Sequence, residues 1–168
     1  MVTVVRGGRR SRINRKLRRL RLPPLRRGPR RLARPKVSFL WVPQVAGAPN
    51  TPANSPRAYW PGGRYVDWVG TDLYSKFPNW TGLARLYAAF PRKPFAFGEW
   101  AIWGSDSPGF VRSFLSWTRS HRRARLLMYN QGTRTGGPFR LSNYPASRRA
   151  VADELNGGRY VSFAPEFR

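Results

Sequence analysis

Short apolar runs alternate with segments of helical spacing along the sequence after residue 36. The runs have the length and the β-branched and aromatic content of strands. They lie at 37–42, 65–74, 94–98 and 124–129. A loop rich in Pro, Ala, Asn and Gly separates the first two runs, and helical segments separate the others. The pattern therefore predicts an α/β fold in which crossover helices join parallel strands.

Three segments carry the signals of helices. In the first, apolar side chains recur at i, i+3, i+4 and i+7, at Leu83, Leu86, Tyr87 and Phe90. The second has Ser107 as its N-cap and Pro108 at the first helical position, and it ends in the basic run 119–125, which suits the negative end of a helix dipole. The third runs over 145–155 and closes at Asn156-Gly157.

Residues 1–36 differ from the rest in composition. They contain 15 of the 32 Arg and Lys residues and no acidic residue, so the other 17 basic and 7 acidic residues leave a net charge of +10 for residues 37–168. The leucines from Leu17 to Leu25 predict one short basic helix, which Pro23-Pro24 stops. We therefore divide the chain into an Arg-rich tail, 1–36, disordered or short-helical, and a folded domain, 37–168.

The Arg-rich tail is open to several interpretations. Its arginines can contact the phosphates of a nucleic acid, bind an anionic membrane surface, or form an acid-free mitochondrial presequence. However, the tail lacks the aromatic residues of a specific nucleic-acid reader, and it has no apolar face to dock on the domain. We favour the simpler alternative that it is disordered, or that it results from a mistaken start or a shifted reading frame.

Composition disfavours several classes of function. Without cysteine the chain has no disulfide framework and no thiolate metal site, and its one histidine, His121, has no second imidazole with which to share a metal. We expect no metal and no cofactor. No apolar run approaches the roughly 20 residues of a membrane span. The arginines at the start are not followed by the apolar core of a signal peptide, and the compartment stays open.

Glu99 is the residue that the pattern singles out for chemistry. It is the only glutamate before residue 154, it follows directly on the apolar run 94–98, and it precedes Trp100. A polar residue at the end of a buried parallel strand lies at the carboxyl edge of the sheet, where α/β barrels place their chemistry. The alternative is a structural role, either as a helix cap or in an ion pair with one of the many arginines.

The sequence on both sides of this position is similar to a known family. The run from Tyr59 to Tyr74, which contains Tyr65-Val66-Asp67-Trp68-Val69-Gly70, and the later run Lys93-Pro94-Phe95-Ala96-Phe97-Gly98-Glu99 resemble strands six and seven of glycoside hydrolase family 26, the β-mannanase-like (β/α)8 barrels. Phe39-Leu40-Trp41-Val42-Pro43-Gln44 is similar to strand five, and 125–130 to strand eight. The resemblance implies a partial (β/α)8 TIM-type barrel, made of strands five to eight with their helices.

The resemblance also implies a site and a substrate. Glu99 corresponds to the nucleophile in retaining hydrolysis of β-1,4-linked mannan or a related polysaccharide, and Tyr74 to the tyrosine that hydrogen-bonds this nucleophile. Asp72 would hold the sugar or the loops by hydrogen bonds. Tryptophans in loops or at strand ends can stack on sugar rings or pack in the core. These are Trp60, Trp80, Trp100 and Trp103. The family suggests a secreted protein, although this chain shows no signal peptide.

The second carboxyl group of a retaining mechanism is missing from its expected place. The family has it in a His-Glu pair upstream of Val37, whereas this chain has no acidic residue before Asp67 and no histidine before His121. Only Asp72 is geometrically able to replace it. We therefore expect a truncated protein that is weakly active or inactive alone. The alternatives are a basic nucleic-acid-binding protein acting through residues 1–36 and a non-catalytic carbohydrate-binding remnant.

Overall fold

The computed structural model describes residues 5–34, 36–156 and 160. These residues fall into two compact units. We call the described part of Met1–Phe39 and Pro61–Asp67 the basic unit, and that of Leu40–Trp60 and Trp68–Arg168 the sheet unit. Within the described residues, no helix combines the length and the apolar character needed to cross a membrane.

The basic unit is built on one helix and one antiparallel strand pair. β1 (Gly8–Arg9) pairs with β2 (Arg31–Leu32), and α1 (Arg10–Arg19) follows β1 directly. Gly7 and Gly8 have φ values of 67° and 118°, which glycine adopts without steric cost. The chain can therefore turn sharply where it enters β1.

The buried side of α1 differs from the predicted one. Ile13 and Leu17 are buried, whereas Leu20 lies beyond the last helical residue and is 63% exposed. The helix is present, but the leucine stripe from Leu17 onward is wrong as a description of it, because α1 ends before that stripe can form. The side chain of Asn14 then holds the following segment, since it donates to the carbonyl of Leu25 and accepts from its N–H.

Asp67 belongs to the basic unit and lies just before a strand, not inside one as its sequence position in 65–74 suggests. The strand begins at Trp68. The Asp67 carboxylate forms an ion pair with Arg6, at 2.8 Å, and accepts a hydrogen bond from the N–H of Phe39, also at 2.8 Å. Asp67 therefore has structural partners and is not a free carboxyl group.

The sheet unit is an α/β fold with four parallel strands, which confirms the predicted fold class at this level. The strands are β3 (Leu40–Trp41), β4 (Trp68–Tyr74), β5 (Phe95–Ala101) and β6 (Ala124–Tyr129). The helices are α2 (Trp80–Ala89), α3 (Pro108–Ser120) and α4 (Pro145–Leu155). The strands lie side by side in chain order, and α2 and α3 form the crossovers from β4 to β5 and from β5 to β6.

Most element bounds agree with the sequence prediction. The bounds of β6 and α4 coincide with 124–129 and 145–155, and α3 begins at Pro108, directly after Ser107. β3 is shorter than 37–42, β4 begins three residues later than predicted, and β5 continues three residues beyond Gly98. Glu99 is therefore inside a strand and does not end one. Gly157, predicted to close α4, lies outside the described residues.

Aromatic side chains form the core between β5 and the helices. The ring of Phe95 contacts that of Trp117, in α3, at 6.3 Å between centroids. Phe114, also in α3, is fully buried, and its ring lies 4.7 Å from that of Phe97 and 4.5 Å from that of Trp100. Helix α3 therefore covers one face of β5. We call the opposite face of the sheet the open face.

Asp106 fixes the start of α4. Its carboxylate accepts hydrogen bonds from the N–H groups of Ala146 and Ser147, each at 2.8 Å, and from the Ser147 hydroxyl. The residue at the N-cap position, Tyr144, offers no side-chain cap. Asp106 supplies the missing acceptor from the loop between β5 and α3, at the positive end of the α4 dipole, and so has a structural role.

Candidate functional site

An extra residue in β5 turns Glu99 to the open face of the sheet. Thr71 of β4 is paired with Phe97, and the next residue, Asp72, is paired with Glu99, so Gly98 is the extra residue of a bulge. Because side chains alternate along a regular strand, Glu99 would otherwise point to the same side as Phe97, toward the helices.

The packing around the bulge supports this assignment. Phe97 and Trp100 lie three residues apart, which would place them on opposite faces of a regular strand, yet both contact Phe114. The pairing of β5 with β6 slips by one residue over the same stretch. Gly98 also has to be small, because a Cβ there would lie 2.8 Å from Cγ1 of Val42.

Glu99 is the acceptor of a small hydrogen-bonded group near the carboxyl ends of three strands. The Tyr74 hydroxyl, at the end of β4, donates to Oε2 of Glu99. The Asn130 amide, directly after β6, donates to the same oxygen at 3.0 Å and to the Tyr74 oxygen at 3.1 Å. Asn130 is itself held by its backbone N–H, which donates to the carbonyl of Trp100 at 2.9 Å. We call Glu99, Tyr74 and Asn130 the Glu99 cluster.

The Glu99 cluster keeps Tyr74 in its protonated form. Burial, and then the hydrogen bond to Glu99, raises the pKa of Tyr74 to about 12. The phenol is therefore a hydrogen-bond donor throughout the neutral range, and Glu99, which is solvent-exposed, is its acceptor.

Asp72 brings a second carboxyl group beside Glu99. The two residues are paired across β4 and β5, and the Gln44 amide donates to Oδ2 of Asp72 at 3.1 Å. Burial and the negative charge of Glu99 raise the pKa of Asp72, against the lowering effect of hydrogen bonds from the Glu99 backbone and from Gln44.

Asp72→Asn is expected to raise the thermal unfolding midpoint at pH 7. The folded-state pKa of Asp72 is raised, so its contribution to stability is fully present below the pKa of the unfolded chain and is lost as the pH rises through the folded-state pKa. Asn removes the charge and keeps the acceptor for Gln44. Calorimetry should show the higher unfolding midpoint at pH 7 only. At about pH 3 the Asp72 carboxyl group of the parent is protonated, so residue 72 is uncharged in both parent and variant.

Asp153→Asn, an exposed carboxylate on α4, is the matched control and should show no such difference between the two pH values. A lower midpoint for Asp72→Asn at pH 7 would contradict the sign of the effect.

Aromatic rings line the carboxyl edge next to the Glu99 cluster. The ring centroid of Trp103 lies 5.8 Å from that of Tyr74, and the ring of Phe139 lies 5.4 Å from Tyr74 and 5.5 Å from Trp103. The Lys76 ammonium lies 5.0 Å from the Trp103 ring. These side chains provide flat apolar surface beside Tyr74 and one cation against the Trp103 ring.

The other predicted tryptophans lie elsewhere. Trp100 is 4% exposed and stacks on Phe114, so its ring packs in the core and offers no face to a ligand. This corrects the expectation that Trp100 binds substrate; the bulge at Gly98 turns it toward α3. Trp60 packs against Trp41 and Phe90, and Trp80, the first residue of α2, contacts Phe110. Of the four, Trp103 is the one that contacts Tyr74.

The sequence prediction missed Asn130, Gln44 and Phe139. Asn130 and Gln44 come just after the apolar runs 124–129 and 37–42, so the strand-end argument that identified Glu99 applied to them as well. Phe139 carried no such signal, because it lies in a loop whose course the sequence does not define.

The basic unit contains a separate cavity with a strongly positive lining. Its volume is about 660 Å³, and Tyr65, Ile13 and two glycines complete the lining. The seven basic lining residues are Arg6, Arg9, Arg12, Lys16, Arg31, Arg34 and Arg64. Among the described residues, Arg6 is the one of these that forms an ion pair, with Asp67.

The described residues contain no group of three His, Cys, Asp or Glu side chains placed to hold a metal ion. Comparison of the sequence with models of known protein families gives no match, and comparison with curated proteins gives none either. The resemblance to glycoside hydrolase family 26 therefore remains a prediction.

Proposed function

We propose that the sheet unit is a glycoside hydrolase-like fold whose ancestral reaction is retaining hydrolysis of β-1,4-linked mannan or a related polysaccharide. Glu99 is the nucleophile. The observation that carries the proposal is the Glu99 cluster itself: one carboxylate at the carboxyl edge of a parallel sheet, held by the phenol of Tyr74 and the amide of Asn130.

The hydrogen bonds of the cluster suit a nucleophilic role. Both donors bind Oε2 of Glu99, which leaves Oε1 to attack the anomeric carbon of a sugar. The leaving group departs with the electrons of the glycosidic bond, and a covalent glycosyl ester of Glu99 forms. Trp103 and Phe139 provide flat surfaces beside the reacting carbon, on which the sugar ring stacks.

The sheet is proposed to be the carboxyl-terminal half of a (β/α)8 barrel, formed by strands five to eight. Parallel sheets are ordinarily covered on both faces, yet Leu126 and Met128 of β6 are each 40% exposed. β3 and β6 have no further strand neighbours within the described residues. Exposed apolar side chains and two free strand edges are expected of a barrel that lacks its other four strands.

The lack, among the described residues, of a second carboxyl group that could act as acid and base limits the expected activity. Retaining glycosidases need an acid and base about 5–5.5 Å from the nucleophile. Asp72 is the carboxyl group paired with Glu99 in the sheet, but Gln44 binds it, and we assign it to substrate hydrogen bonding. Loss of the general acid typically costs about 10²- to 10⁴-fold. Mannan, with a poor leaving group, should therefore be cleaved slowly or not at all.

Covalent labelling tests the nucleophile without requiring the acid. In a 2,4-dinitrophenyl 2-deoxy-2-fluoro-β-mannoside the dinitrophenolate can leave without protonation by a general acid. The fluorine slows hydrolysis of the glycosyl ester. We expect mass spectrometry to find one added fluorosugar on Glu99, at an equal rate in the control Asp153→Asn. Labelling of another residue, or none in excess reagent, would refute the proposal. Retention on mannan without labelling would favour a carbohydrate-binding remnant.

The lining of the positive cavity in the basic unit favours a second candidate function, binding of a nucleic acid. Each phosphate neutralised by a basic side chain contributes about −0.9 to the slope of log K against log salt for duplex DNA. Replacing Arg12, Lys16 and Arg34 together by Gln should reduce the magnitude of that slope by up to about 3. Fluorescence anisotropy of a labelled duplex from 50 to 200 mM salt measures it.

The matched control replaces Arg92, Arg112 and Arg122, three exposed arginines of the sheet unit, by Gln. It removes the same charge from the chain but leaves the cavity intact. Equal slopes for the two triple variants would show that binding follows net charge alone, and would exclude the basic cavity as the site.

A further inference from the structure

The sheet unit contains a cavity that shares no lining residue with the Glu99 cluster. Its volume is about 460 Å³, within the range of about 300–1,000 Å³ that is common for small-molecule sites. One wall is formed by the loop that follows β3 and contains the short 3₁₀ helix Pro56–Tyr59, and the other by α2. The cavity therefore lies between a loop and a helix of the same unit.

The apolar part of the cavity is preformed. Trp60 and Phe90 line it, with ring centroids 4.5 Å apart, and Trp41 packs on both, at 4.8 Å and 5.5 Å. Leu86, which is buried, completes this surface from α2. Close contact among the rings holds the lining in place, so a ligand does not have to order it.

The charged lining is positive on both walls. Arg57 lies in the 3₁₀ helix and Arg85 in α2, and both are exposed. Neither forms an ion pair with a described residue, and no acidic residue lines the cavity. Two guanidinium groups at an apolar cavity are complementary to a carboxylate or sulfonate, which each can bind through two N–H groups.

We propose that this cavity binds a small organic anion with a flat apolar body, of the aryl carboxylate class. The body packs on Trp60 and Phe90, and the carboxylate is bound by Arg57 and Arg85. A neutral sugar is a poorer match, because Ser55 is the only side chain of the lining with a hydroxyl or amide group, and buried hydroxyl groups need partners. The site is independent of the proposed glycosidase chemistry.

The test uses the full chain and isothermal titration with 2-naphthoate and with its neutral analogue 2-naphthamide. Arg57→Gln with Arg85→Gln should weaken naphthoate binding by at least about 10-fold, as expected for loss of charge-assisted hydrogen bonds. It should change naphthamide binding by less than about 2-fold. The control, Arg92→Gln with Arg122→Gln, removes the same charge from exposed positions outside the lining and should leave both affinities unchanged.

A second variant, Ala89→Phe, fills the cavity from an exposed position at the end of α2 without changing the charge. It should weaken the binding of both 2-naphthoate and 2-naphthamide. Equal loss of naphthoate affinity in the two double arginine variants would overturn the proposal, since attraction to a chain of net charge +25 would then explain binding. Unchanged binding in Ala89→Phe, or no naphthoate binding to the parent chain, would overturn it as well.

Discussion

Glu99→Gln is expected to lower the turnover of 2,4-dinitrophenyl β-mannoside by about 10³-fold or more, because an amide cannot form the glycosyl ester. The substitution keeps the shape of the side chain, and its carbonyl oxygen can still accept from Tyr74 and Asn130. The free energy of unfolding should therefore change little. Release of dinitrophenolate in the first turnover, followed by absorbance, measures the rate of ester formation, because slow hydrolysis of the ester without a general base would limit the steady state.

Rescue by azide separates loss of the nucleophile from loss of structure. In Glu99→Ala azide can occupy the vacated space and attack the anomeric carbon from the side on which the Glu99 carboxylate would attack. The product is a glycosyl azide of inverted configuration. Asp153→Asn, exposed on α4, is the control and should turn over the substrate as the parent does. Undiminished turnover in Glu99→Gln would show that another group performs the chemistry.

The elements of the sheet unit could be predicted from the sequence because local signals bound them. The apolar run of β6 stops at Asn130, and α4 begins at a proline, so both elements have the predicted ends. In the basic unit such signals are weak. Ile13 and Leu17, which α1 buries, stand among many arginines and form no clear apolar pattern in the sequence. The leucines beyond the end of α1 suggested a helical pattern that the structure does not have.

That Glu99 lies near the carboxyl end of a strand was predictable, although β5 continues two residues beyond it, but the face of the sheet on which it lies was not. If the side chains of β5 alternated regularly, Glu99 would lie on the same face as Phe95 and Phe97, toward the helices. The bulge at Gly98 reverses this, and a bulge is visible only in the register of β5 with its neighbours. The same reversal carries Trp100 into the core, whereas the sequence analysis considered it as a ring at a strand end that could stack on a sugar.

Phe114→Ala is expected to lower the free energy of unfolding of the sheet unit by about 3–5 kcal/mol, the usual cost of removing a buried aromatic ring. Phe114 is fully buried and contacts residues on both sides of the bulge, Phe97 and Trp100. Urea unfolding followed by tryptophan fluorescence measures the change. Phe77→Ala removes the same atoms from a ring that is 70% exposed and should cost less than about 1 kcal/mol.

Phe114→Leu tests whether the ring also holds the bulge in register. Leucine retains most of the apolar volume and should restore much of the lost stability, but it cannot stack on Trp100. If that stacking fixes the bulge, Phe114→Leu should label more slowly at Glu99 than the parent while remaining folded, because a loosened bulge lets the carboxylate turn away from Tyr74. Parent-like labelling would mean that the strand register alone orients Glu99. Equal costs for Phe114→Ala and Phe77→Ala would contradict the described core.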